Sequence, residues 1–168
     1  MKSKLKYTLI FVIFFAGCNS DQRTKYMARE SLRNSQPVIL LRGFVDLCYA
    51  ENTGMAFSLL SYLDPPLRRG LLVCVPLVTT ICFSLFIWRF RVKHFTALLP
   101  FAFILAGAAG NILDRIRYGH VVDFIHFHVR DIFHWPIFNI ADVLVFVGGL
   151  MLFLQYGFRK NTHINENL

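Results

Sequence analysis

Three apolar stretches constrain this chain more than anything else in it: Gly70 to Trp88, Phe95 to Leu113 and Phe138 to Tyr156. Each comes close to the ~20 residues a helix needs to cross about 30 Å of hydrocarbon. Lipid offers no water to backbone amides, so runs of this length have one economical conformation, the helix. Pro76 and Pro100 fall inside two of them and are tolerable there, because neighbours and water take over the freed carbonyls. A fourth apolar run, Leu5 to Ala16, follows the basic start Lys2, Lys4, Lys6. With 55% of its 168 residues hydrophobic, the chain reads as a single membrane domain spanning 1–168.

Charge then orients the spans. A net +8 on a soluble domain would suggest nucleic acid, but here the basic residues flank apolar runs, and no nucleic-acid partner is called for. The loop "RFRVKH" carries Arg89, Arg91 and Lys93 and no acid, which makes it cytoplasmic, together with the lysine-rich start and Arg159 and Lys160. Arg68 and Arg69 lie on the wrong side, so the rule holds on balance. The expected spans are about 5–27, 70–88, 95–113 and 138–156, with extracytoplasmic regions at about 28–69 and 114–137. Both termini are then inside, and nearly every acid is at the outer face, where carboxylate chemistry would have to occur. Cys18, Cys48, Cys74 and Cys82 show no metal-ligand spacing and imply no disulfide framework.

The first outer region has strand character. "PVILLRGFVDLCYAENTG" is rich in β-branched and apolar residues, broken at Arg42-Gly43 and Asn52-Thr53-Gly54 by turn signals. Short strands are expected at Val38 to Leu41 and Phe44 to Ala50, with "MAFSLLSYL" lying apolar face down at the interface.

Polar residues concentrate in "GNILDRIRYGHVVDFIHFHVRDIFHWPIFNIAD". Asn111 and Arg115 share a helix face at spacing i, i+4, and Asn139 and Asp142 share one at i, i+3. A carboxylate as deep as Asp142 is costly in lipid and is a functional candidate for that reason, or else an acid favoured near a helix N-terminus. Asp123 is a second carboxylate in apolar company, between Val122 and Phe124. Two carboxylates brought together in a partly dry site cannot both ionise cheaply, so the pair holds one proton and offers an acid and a base. Asp114 beside Arg115 reads as a helix-end ion pair, and Asp131 beside Arg130 as a solvated loop residue. His126 and His128 in "HFH" would face one side of a strand and, with His120, His134 or Asp123, could hold a metal. The economical reading is interfacial histidines, and neither a metal nor a cofactor is assigned.

Taken in order, Asp21-Gln22-x-x-Lys25, "ENTGMAFS", "GNILDR", "VVDF" and "FNIAD" resemble the motifs of the bacterial lipoprotein signal peptidases, the type II or prolipoprotein signal peptidases, over essentially the whole chain. That resemblance implies an all-α integral membrane fold, four transmembrane helices with a small extracytoplasmic β-cradle, in the cytoplasmic (inner) membrane. It implies Asp123 and Asp142 as catalytic dyad, Asn52, Asn111, Arg115 and Asn139 as substrate-binding residues, and Asp21, Lys25 and Asp114 as structural polar residues. The implied reaction is cleavage before the diacylglyceryl-modified cysteine of a prolipoprotein by an aspartic endopeptidase that works as a monomer among membrane lipid and is open to globomycin-type inhibitors.

"FFAGC", Phe14 to Cys18, also resembles the signal this family cuts. Retention is expected, because loss of the first helix would open the bundle beside the site. A second reading of the whole chain is a non-enzymatic carrier or binding scaffold using Asp123, Asp142 and Arg115 as an ion-pair or proton-relay network, although a carrier would be expected to show repeat symmetry between its halves, and none is visible.

Overall fold

In the computed structural model, which describes residues 3–53, 63–89 and 94–157, the chain runs α1 (Ser3–Leu32), β1 (Val38–Leu41), β2 (Val45–Asn52), α2 (Pro65–Arg89), α3 (Phe95–Tyr118), β3 (Val121–Val129), β4 (Phe133–His134) and α4 (Ile140–Gly157). Stretches Pro66–Leu85 of α2 and Phe95–Tyr118 of α3 are long and apolar enough to cross a membrane, with mean hydropathies of 1.5 and 1.8. Ile140–Gln155 of α4 is an apolar helix of shorter reach.

Helix α1 runs past the expected end near Met27, and its sequence explains why. Asp21, Lys25, Ala28 and Leu32 fall at i, i+4, i+7 and i+11, one stripe of the helix, and all four are buried. Ala28 and Leu32 pack against Val122 and Phe124 of β3, so the sheet itself holds the last turns of α1. Helix α3 likewise continues beyond Leu113, until Gly119 takes φ 78° and caps it, its N–H bonding to Arg115 O at 3.0 Å. Near the start of α3, Pro100 has no N–H for the carbonyl of Thr96, and Gln155 of α4 donates to that oxygen at 2.8 Å.

The four strands form one antiparallel sheet in the order β1-β2-β3-β4. The first two lie where the turn signals put them, β2 starting at Val45 rather than Phe44 and extending to Asn52, with Gly43 at φ 80° in the turn between them. Strand β3 covers the whole of "VVDFIHFHV". Residues 54–62, which include most of "MAFSLLSYL", and 90–93, the centre of the "RFRVKH" loop, lie outside the described residues.

Helix α3 is central, packed on α4 and α1, and small residues set the approach. A Cβ on Gly107 would collide with the backbone oxygen of Ala141, and one on Gly110 with the Asp21 carboxylate. These two positions bring α4 and the polar half of α1 onto the same stretch of α3.

Candidate active site

The site is assembled where α4 begins. Phe138 pairs with Ile125 of β3: its N–H bonds to Ile125 O at 3.0 Å, and its own oxygen accepts the N–H groups of Phe124 at 3.0 Å and Ile125 at 2.9 Å. This stitches the residue before Asn139 to the strand residue after Asp123. Asn139 then caps α4 with Asp142 in a reciprocal box, Asp142 N–H to Asn139 Oδ1 at 3.0 Å and Asn139 N–H to Asp142 Oδ2 at 3.2 Å. Asp142 therefore does serve the helix N-terminus, with one oxygen only.

The other atoms of this cap join the two carboxylates. Asn139 Nδ2 donates to Asp123 Oδ1 at 2.6 Å, and Asn52 Nδ2, from the end of β2, donates to Asp123 Oδ2 at 2.9 Å. Asn111 Nδ2 donates to the free oxygen of Asp142 at 2.9 Å, while Asn111 Oδ1 accepts from Asn139 Nδ2 at 3.3 Å. Asn139, 0% exposed, thus touches both aspartates and the amide between them. Asp123 is 3% exposed, and burial pushes its carboxyl up to about 6, against the bond from Asn52 and with the charge of Asp142 adding to the rise.

A second polar cluster abuts the first. Lys25 Nζ contacts Asp21 Oδ2 at 2.9 Å, Asp114 Oδ2 at 3.0 Å and Asn111 Oδ1 at 2.8 Å, so its three donors are used. Asp21 also accepts the N–H of Ala141 at 2.8 Å, and Asp114 accepts from Gln22 Nε2 at 2.9 Å and from the N–H of Val122 at 3.2 Å. The ion-pair reading of Asp114 is corrected here: its partner is Lys25, because Asp114 and Arg115 sit on different faces of α3. Gln22 and Arg117, bonded to each other at 2.8 Å, extend this cluster. Gln22 was visible only as part of a motif, and Arg117 carried no signal at all.

An open cleft of about 450 Å³ begins beside Asp142 and runs between helices, lined by Pro76 of α2, Ala108, Asn111 and Arg115 of α3, and Asp142, Val145 and Phe146 of α4. It is polar at the end nearest Asp142 and apolar below. The Nε of Arg115 is buried there without a hydrogen-bond partner. The metal grouping considered from sequence divides differently in space. His126, His128 and His134 stack together, whereas His120 lies beside Glu51 and Asp123 is bonded to Asn52 and Asn139. Asp46 replaces them next to His128.

Known proteins resemble this chain over most of its length. Residues 12–158 match the family described as signal peptidase (SPase) II. A protein of Pelodictyon phaeoclathratiforme named lipoprotein signal peptidase is 39% identical over 154 residues, covering 87% of this chain and 88% of its own. Lipoprotein signal peptidases of Clostridium tetani and Francisella tularensis subsp. novicida are each 34% identical, over 85% and 95% of this chain and 88% and 96% of theirs. A solved bacterial membrane enzyme shares the fold, with TM-score 0.78 at 24% identity over 92% of this chain and 90% of that one. The carrier reading finds no support among these relatives. The chain belongs to the signal peptidase II family, and is a peptidase of that family rather than a carrier.

Proposed function

We propose that this peptidase is an aspartic endopeptidase that cuts prolipoproteins before their diacylglyceryl-modified cysteine, with Asp123 and Asp142 sharing one proton. The observation that carries the reading is the Asn139 bridge: both carboxylates are held by amide donors, and among the described residues neither has an ion-pair partner. Arg115 and Lys25 act on the pair through space and bond to neither carboxylate, and carboxylates hydrogen-bonded by neutral donors alone are the kind whose protons are available for transfer. Asp123, the more buried, carries the proton and gives it to the scissile carbonyl. Asp142, which lines the cleft, takes a proton from the attacking water. The adjacent amides of Asn52, Asn111 and Asn139 hold both groups in place through the cycle.

The cleft suits the substrate described. Its apolar walls, Val145, Phe146, Ala108 and Pro76, accept a hydrophobic signal helix or acyl chains from the side, and the unpaired Nε–H of Arg115 reaches a backbone carbonyl near the cut. In this reading four helices span the inner membrane with both termini inside, lipid fills the outer walls, one chain suffices, and globomycin-type inhibitors occupy the cleft. Purified protein in detergent, given a diacylglyceryl-modified prolipoprotein and its unlipidated counterpart, should release the signal peptide from the first only. No release from either would refute the aspartic reading.

A further inference from the structure

Four potential ligands occupy one face of the sheet, outside the site described above. Asp46 of β2 is the direct cross-strand partner of His126 in β3, and His128, two residues along, is the partner of His134 in β4. Direct partners and i, i+2 neighbours share a face, so the register sets one carboxylate and three imidazoles in a staggered array across three strands, with Asp46 and His134 at its two ends. Asp123, three residues before His126, faces the other side. The rings of His126, His128 and His134 lie nearly parallel with centroids 5.0, 5.3 and 5.7 Å apart.

The atoms inside the array are placed as ligands. One atom each from Asp46, His126 and His128 lies within 4.8 Å of the others. Two edges are shorter: His128 Nε2 to Asp46 Oδ2 at 3.0 Å, and His126 Nε2 to His134 Nδ1 at 3.3 Å. A tetrahedral zinc centre with bonds of about 2.0–2.1 Å separates its ligand atoms by about 3.3 Å. The outward nitrogen of His128 adds an independent argument. Its Nδ1 is 3.1 Å from the carbonyl oxygen of Arg130, which can only accept, so Nδ1 carries the proton. A backbone carbonyl on the far nitrogen is how proteins fix the tautomer and the orientation of a metal-bound histidine. Nε2 is left buried, with no hydrogen-bond partner, facing a carboxylate. Something positive belongs between two such lone pairs.

We propose that Asp46, His126 and His128, with His134 as the fourth ligand, bind one divalent transition cation of the zinc class and staple β2, β3 and β4 together. Imidazole with a carboxylate suits zinc, cobalt and nickel, and disfavours magnesium and calcium. The cation sits on the face of β3 away from Asp123, so its role is to hold the strand that carries the dyad and it takes no part in peptide cleavage.

The test uses the full chain purified without a histidine tag, stripped by chelator and titrated with Co(II). One equivalent should bind, giving visible d–d bands without the near-ultraviolet charge transfer of a cobalt thiolate, and Zn(II) should displace it and raise the thermal midpoint. His128→Gln and Asp46→Asn should each weaken Co(II) binding on the order of 100-fold, while a variant with Cys18, Cys48, Cys74 and Cys82 all changed to Ala keeps it. Prolipoprotein cleavage by His128→Gln and Asp46→Asn should match the wild type, which shows in the same preparations that they are folded. Substoichiometric Co(II) binding by the folded wild type would overturn the proposal. So would binding that survives in both variants, or a thiolate spectrum.

Discussion

Two polar clusters share the sheet end of this bundle, and they differ in one respect. Around Lys25, the carboxylates of Asp21 and Asp114, 0% and 1% exposed, meet a cation and three backbone or amide donors, so that every charge is answered. Around Asn139, the carboxylates of Asp123 and Asp142 meet only neutral N–H groups. Each cluster has a pair of aspartates at its centre, and α3 contributes to both. A cation inside the cluster turns two aspartates into a fastening between α1, α3 and the start of α4. In the function proposed above, leaving it out of bonding distance lets two aspartates serve as a proton-transfer pair, next to a fastening that reaches them through Asn111, which bonds to Lys25 on one side and to Asp142 on the other.

The comparison predicts opposite phenotypes for the same chemical change. Asp123→Asn and Asp142→Asn should each slow prolipoprotein cleavage by roughly 10³-fold or more, about 4 kcal/mol in the barrier, in protein that still inserts and folds without loss of stability at neutral pH. Lys25→Met should do the reverse. It strands two buried carboxylates, costs about 3–5 kcal/mol of stability, and lowers yield and thermal midpoint. Whatever fraction folds should retain measurable turnover. A Lys25→Met protein that melts like the wild type would erase the distinction between the clusters.

Acidity separates them more finely. With Asp123 at about 6 in the fold and near 3.9 when unfolded, the native state binds the extra proton between those values. Stability from this group is therefore full below about pH 4 and is lost as pH rises through 6, a loss of about 2–3 kcal/mol. Asp123→Asn should remove that slope, so its thermal midpoint should gain on the wild type from pH 4.5 to 7.5. A variant that tracks the wild type across that range would mean that Asp123 ionises as an ordinary surface carboxylate does.

Much of this was legible in the chain, and the parts that were not have a common physical cause. The apolar runs announced the helices, and the turn at Arg42-Gly43 announced the first hairpin, because both signals are local. The two aspartates stood out as carboxylates in apolar company. What stayed hidden was long-range pairing. Asp46 meets His126 only because β2 pairs with β3 across the whole of α2 and α3. Asp114 appeared matched to its neighbour Arg115, while its cation waits on α1. Asn139 looked like a companion of Asp142 at i, i+3, and its bond to Asp123 depends on the Phe138–Ile125 bridge, for which no periodicity gives a sign.

The central claim is that Asp123 and Asp142 act as one unit through a shared proton, and a double-mutant cycle on cleavage tests it most directly. Rates of prolipoprotein processing would be compared for Asp123→Asn, Asp142→Asn and the two combined, with Asp131→Asn as an exposed carboxylate control within a few-fold of wild type. The account predicts that the double variant is no slower, within a few-fold, than either single variant, since removing one member already disables the pair. Losses that multiply in the double variant, or a single variant that cuts as fast as the wild type, would contradict it.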